Sequence, residues 1–103
     1  MSLFNYYDKK GNEIDRDRWS HLYSDKEYRI VAQERIGKFF ISTVWLGVDY
    51  SFGESQPLFF ETMAFDEDKG DWTDVYLNRY SNEIAALAGH DQAVAMARDE
   101  MFK

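Results

Sequence analysis

Two stretches dense in large apolar residues, Phe39 to Asp49 and Leu58 to Phe65, flank a loop, Tyr50 to Pro57, that holds Gly53 and the single proline. In the first stretch Phe40, Val44, Leu46 and Val48 alternate with Phe39, Ile41 and Trp45, so both parities are apolar. A strand apolar on both sides belongs in the middle of a sheet. Leu58 to Phe65 predicts its neighbour, and Val75 to Tyr80 a further strand. Upstream, Tyr28, Ile30, Ala32 and Ile36 alternate with Arg29, Gln33 and Arg35, the pattern of a half-exposed strand. Val31 and Glu34 fall out of step with it. Gly37-Lys38 then offers a two-residue hairpin turn into the central strand.

Helical signals sit at the two ends. Asp15 can cap a helix whose first turn carries Asp17 and whose one face carries Trp19, Leu22 and Tyr23, ending near Ser24-Asp25. Ile14 and Trp19 have the spacing of a hydrophobic staple. Before it, Leu3 to Tyr7 predicts a short strand closed by a turn over Asp8 to Asn12. Near the C-terminus Ser81 is the expected cap of a helix of about 20 residues, with Glu83 in its first turn. Leu87, Val94 and Met101 recur every seven residues, with Ile84, Ala88 and Ala97 alongside, and mark its expected buried side. Gly89 inside that helix costs about 1 kcal/mol relative to Ala, which points to close packing on the sheet.

The order β-α-β-β-β-β-α with short connections predicts an α+β fold. It is an antiparallel sheet of four to five strands, with a short N-terminal helix and a long C-terminal helix packed on one face. The other face is expected to be partly covered, leaving aromatics such as Trp45 or Phe59 for a partner. A length of 103 residues fits one domain spanning 1–103. Aromatic residues make up 17% of the chain, enough for a few large side chains to fill the core.

Composition narrows the function classes. With no cysteine there is no disulfide scaffold, thiolate metal site or Cys nucleophile. The N-terminal residues lack the pattern of a signal peptide, and no apolar run approaches the ~20 residues of a membrane span. The expected location is the cytoplasm. A net charge of −7 disfavours direct binding to nucleic acid or to an anionic membrane and favours a basic protein partner. Acids crowd one loop, at Asp66, Glu67, Asp68, Asp71 and Asp74 against Lys69. The loop begins like an EF-hand, but its glycine comes one position early and Leu77 stands in place of the closing Glu, so calcium is not expected. Two histidines without cysteine make a zinc site poor, and neither a phosphate loop nor a nucleophile elbow is present. No metal or cofactor is expected.

Three residues form the best chemical constellation. Asp49 is expected at the end of the central strand, Glu61 on the adjacent strand and His90 in the C-terminal helix on its Leu87/Val94 side. A carboxylate beside an imidazole can orient the ring for acid–base work. The competing reading makes Glu61 and His90 one satisfied polar pair in an aromatic core, with Asp49 accepting backbone N–H groups in its loop. Trp45, Tyr50 and Trp72 are the candidate binding residues, Trp72 either folding onto the core or anchoring a partner.

Several motifs carry a resemblance. Ser42-Thr43-Val44-Trp45-Leu46-Gly47-Val48-Asp49, Phe52-Gly53, Pro57-Leu58, Phe60-Glu61-Thr62-Met63, Arg79-Tyr80-Ser81 and Ala86-Leu87-Ala88-Gly89-His90 resemble small uncharacterised proteins of bacteriophages and prophages. The chain departs from that pattern with Tyr50 where His is expected and Gln56 where a second proline is frequent. The resemblance implies a phage-derived origin and no particular reaction. The functional expectation is a non-enzymatic accessory protein that binds host or phage machinery, one version being inhibition of a host defence system. The alternatives are a small enzyme or ligand binder using Asp49, Glu61 and His90, and a structural or assembly component, including a homodimer.

Overall fold

A computed structural model of the chain describes residues 5–53, 56–70 and 74–102. Its framework is a four-stranded antiparallel sheet built from β3 (Ile30–Ile36), β4 (Phe39–Trp45), β5 (Phe60–Asp66) and β6 (Asp74–Tyr80), in that spatial order. The apolar-on-both-sides strand is β4, which lies inside the sheet as its pattern requires. A two-stranded hairpin, β1 (Tyr6–Tyr7) with β2 (Glu13–Ile14), precedes α1 (Arg16–Tyr23) and α2 (Lys26–Arg29). The long C-terminal helix α3 (Glu83–Arg98) packs on one face of the sheet. The fold is α+β.

Local chemistry sets the boundaries. Asp15 caps α1 by accepting from the Arg18 N–H at 2.8 Å. Asp25 caps α2 by accepting from the N–H groups of Glu27 and Tyr28. That second cap moves Tyr28 from the expected strand into a helix. Gly37, at φ +57, makes the turn between β3 and β4. The cap of α3 is Asn82 rather than Ser81: the Asn82 side chain accepts from Ala85 N–H at 2.8 Å, while Ser81 Oγ donates to Gln56.

The two out-of-step residues of β3 have separate causes. The pairing of β3 with β4 shifts between Ile30 and Ala32, so Val31 is the extra residue of a bulge. Glu34 keeps the parity of Ala32 and Ile36 and therefore belongs to the α3-facing side.

The buried face of α3 keeps Val94 and Ala97 of the expected side and leaves the rest of it, Ala88 included, exposed. Ala86, Gly89, His90, Ala93, Val94 and Ala97 face the sheet, whereas Ile84, Leu87 and Met101 are exposed, Ile84 at 82%. The helix lies too close to the sheet for large residues. A Cβ on Gly89 would come within 2.1 Å of the Tyr80 hydroxyl oxygen. The aromatic side chains of the sheet fill the space, and the helix supplies small ones.

Two apolar clusters result. Phe39, Ile41, Ala64, Ala93, Val94 and Ala97 form one. Trp45, Phe59, Phe60, Tyr80 and Ala86 form the other, joined by Tyr7, Ile14, Trp19, Leu22 and Tyr28 from the N-terminal elements. The N-terminal unit docks through Gly47, which has φ +76 and admits the Trp19 and Trp45 rings where a Cβ would lie 2.5 Å from each. That positive φ falls just beyond the end of β4. Trp19 Nε1 donates to Leu46 O at 2.9 Å, and Trp45 Nε1 donates to Tyr7 O at 3.0 Å. Trp45 is fully buried and Phe59 nearly so, so neither is an exposed aromatic on a second sheet face. Their role is to join the two halves of the fold.

Candidate functional site

Between the two apolar clusters runs a polar layer. Thr43 on β4 and Thr62 on β5 are direct cross-strand partners. Their hydroxyl oxygens are 2.5 Å apart, and both residues are wholly buried. His90 enters this layer from α3 at 2% exposure. Its Nδ1 lies 2.7 Å from Thr43 Oγ1, and its Nε2 lies 3.0 Å from Glu34 Oε1. A carboxylate only accepts, so Nε2 carries the proton donated to Glu34, while Nδ1 shares a hydrogen bond with the Thr43 hydroxyl. A further hydrogen bond between the Thr43 and Thr62 hydroxyls completes the chain. All three groups are satisfied within one line that begins at the partly exposed Glu34 and ends inside the core.

An acid, an imidazole and a hydroxyl in series have the connectivity of a nucleophile relay. Access decides against that use. The Thr43 hydroxyl lies under the helix with no exposed surface, so an acyl or phosphoryl group cannot approach it in this arrangement. The layer also touches Tyr80, whose buried hydroxyl makes no hydrogen bond of good geometry among the described residues. Burial foremost, only partly offset by the Thr62 side chain, holds that phenol above its ordinary pKa of 10.0.

The imidazole therefore points inward, as expected, but its acid is Glu34 and not Glu61. Glu61 lies on the opposite face of the sheet, where Arg79 Nε donates to its Oε2 at 3.0 Å. The parity of β5 forces this, since Glu61 alternates with Phe60 and Thr62, which face α3. Asp49 lies beyond the end of β4, in the loop. Its Oδ1 accepts from Ser51 N–H at 2.7 Å and from Leu58 N–H at 3.0 Å, closing the loop from both sides. Burial raises its pKa, but these bonds and the Ser51 hydroxyl outweigh it and hold the carboxyl below its ordinary 3.8. The structure thus does not bring Asp49, Glu61 and His90 together. No family model matches the chain, and no curated protein or solved structure is found to be similar to it.

A second group of residues reaches the surface beside the Asp49 loop. The Arg79 guanidinium lies 4.6 Å over the Tyr50 ring, and Tyr50 meets Phe52 edge to face at 6.4 Å. Glu61, Arg79, Tyr50 and Phe52 form a ladder from the sheet to the loop. Phe52 is 82% exposed and holds φ +56, a left-handed conformation that costs a bulky residue about 1–2 kcal/mol. Ser51, itself buried, stays in place through the Asp49 carboxylate and accepts from Gly53 N–H.

Of the expected binding residues, Trp45 is interior, Tyr50 is at the surface, and Trp72 lies outside the described residues. Phe52 and Glu34 are the two that sequence reasoning passed over. Each carried a signal: an aromatic next to glycine inside a loop, and an acid on the apolar parity of a strand. Among the described residues no group of three or more His, Asp or Glu side chains converges as for a metal, and no helix is long and apolar enough to cross a membrane.

Proposed function

We propose that this chain acts by protein–protein binding, as a small acidic accessory protein of the phage or prophage type that engages host or phage machinery. The observation that carries the reading is Phe52, a large aromatic held almost fully exposed at a loop tip in a conformation that costs free energy. An exposed aromatic on a loop whose backbone is held from below suits an interface anchor, because the loop need not be ordered on binding. Fixation comes from Asp49 beneath the loop and from the Tyr50–Arg79–Glu61 ladder beside it.

The partner's surface is basic. A net charge of −7 speeds encounter with a cationic surface and repels an anionic one. The phage-type origin is supported by the motif resemblance, and a cytoplasmic site of action in a bacterial host follows from that origin. Inhibition of a host defence system is one form this binding takes. The sealed Thr43–His90 layer supports a binding role over a reaction there, since its hydroxyls are inaccessible.

The test compares the wild-type chain with Phe52→Ser and Tyr50→Ser as baits in bacterial lysate at low salt, with recovered proteins quantified. A basic protein enriched by the wild type and reduced about tenfold or more with Phe52→Ser, at unchanged bait stability, is the expected result. Equal recovery by wild type and Phe52→Ser would sink the reading.

A further inference from the structure

The side of α3 turned away from the sheet carries large apolar residues in the open. Ile84 is 82% exposed, Leu87 45%, and Met101, just past the helix end, 60%. Ala88, Asp91, Ala95 and Arg98 share that side and are exposed as well. We propose that this face binds the same face of a second copy of the chain, the two helices running antiparallel about a two-fold axis.

The charges identify the occupant. On a helix surface, opposite charges pair three or four positions apart. Asp91 has only Leu87, Ala88, Val94 and Ala95 at those positions, and Arg98 has only Val94 and Ala95 before it. Neither forms an ion pair among the described residues. They stand seven positions apart, about 10.5 Å along the helix. One acid and one base on a single line make a pattern complementary to itself when reversed. An antiparallel copy sets each Asp91 beside the Arg98 of the other, and symmetry makes the contact twice. A parallel copy sets Asp91 against Asp91 and Arg98 against Arg98, so the charges also choose the direction.

Packing agrees with that choice. With the axis passing between Asp91 and Ala95, Ile84 meets the end of the second helix, where Met101 is exposed. Leu87 then lies along the apolar stem of the second copy's Arg98. Ala88 and Ala95 add no bulk, so the helices approach to about 8 Å, near enough for the short Asp91 side chain to reach across. Each chain carries −7, so two copies repel overall. The contact is one helix face, below the ~800 Å2 per partner of a stable complex. The dimer is accordingly weak, with a dissociation constant of about 100 μM. Glu61 and Arg79 lie on the sheet face opposite α3, so dimerisation leaves the Phe52 surface free.

Sedimentation velocity of the full chain from about 10 μM to about 1 mM tests this. The wild type should pass from monomer to dimer across that range. Ile84→Glu, Asp91→Arg and Arg98→Asp should each weaken association about tenfold or more. All three positions are exposed, so these changes leave the fold intact. The discriminating sample is an equimolar mixture of Asp91→Arg with Arg98→Asp. Its heterodimer again places an acid beside a base at both contacts, so the mixture should associate more tightly than either variant alone. A pairing within one chain gives no such rescue. A wild type still monomeric at about 1 mM, or a mixture no more associated than its components, would overturn the proposal. The Phe52 variants probe a different surface, and neither result depends on the other.

Discussion

Replacing Gly89 with Ala tests how closely α3 approaches the sheet. At an exposed helix position this change stabilises by about 1 kcal/mol, because Ala has the better propensity and less unfolded-state entropy. At Gly89 the new Cβ would lie 2.1 Å from the Tyr80 oxygen, 2.3 Å from its Cζ and 2.4 Å from its Cε1. Ordinary carbon contact begins near 3.5 Å, so helix and ring must separate by about 1.2 Å. Tyr80 has little room to give. Its ring is 8% exposed and packs in the cluster of Trp45, Phe60 and Ala86. The helix must then lift, and His90 lifts with it from partners at 2.7 and 3.0 Å.

Overpacking of this kind costs about 1–3 kcal/mol, and stretching a buried hydrogen-bond line adds about 1–3 kcal/mol. Against the propensity gain of about 1 kcal/mol, the net loss is about 3 kcal/mol. Urea unfolding followed by circular dichroism measures it as a lowered midpoint at unchanged slope. Two second variants locate the cause. Tyr80→Phe removes the oxygen but keeps Cζ and Cε1 in the way, so it rescues Gly89→Ala only in part. Tyr80→Leu removes the ring, and in that background Gly89→Ala should return to neutral or stabilising. A rise of about 1 kcal/mol for Gly89→Ala in the wild-type background would refute the close-approach argument.

Two further changes probe the polar groups. His90→Ala should cost about 3 kcal/mol, since it leaves a void and strips Thr43 of its outer partner. Glu34→Gln should cost under about 1 kcal/mol, because that side chain is 45% exposed and the amide can still accept; equal losses from the two would contradict the assigned geometry. Asp49→Asn should cost about 1 kcal/mol at neutral pH, as two charge-assisted bonds become neutral ones. The carboxyl is held below 3.8 in the fold, so its contribution is complete above that value and is lost as the pH falls through the folded pKa. The gap between wild type and Asp49→Asn in urea midpoint should therefore close as the pH is lowered below 3.8. A gap that widens would reverse the assigned shift.

The sheet was legible because strand parity is geometric. The two-residue period marked β3 and flagged Val31 and Glu34, although only pairing explains why, and apolar residues on both parities marked β4 as interior. The face of α3 was misread for a physical reason. Leu87 and Met101 have the heptad spacing of a buried stripe, yet burial here is set by the gap that Tyr80, Trp45 and Phe60 leave. That gap admits Ala and Gly and excludes Leu. The acid of the His90 pair was hidden by separation along the chain, since Glu34 and His90 lie on elements that meet only when the sheet is assembled. Glu61 attracted attention as an acid among hydrophobes, but its parity already placed it opposite Thr62.

The polar layer has a use that apolar packing lacks. The sheet-facing side of α3 is nearly uniform in size, with Ala86, Gly89, Ala93 and Ala97 along it. Displacing such a helix by one turn, about 5.4 Å, would bring an alanine to the place of Gly89 against Tyr80, a position with no room for a Cβ. His90 adds to the cost of the displacement. One turn in either direction would carry the imidazole out of reach of Thr43 and into Trp45 and Phe60 or into Ile41 and Ala64, and would leave both threonine hydroxyls buried without their partner. An unpaired buried polar group costs about 1–3 kcal/mol, and here at least two would be left. The register of α3 also fixes Asn82 at its start and Glu100 at its end.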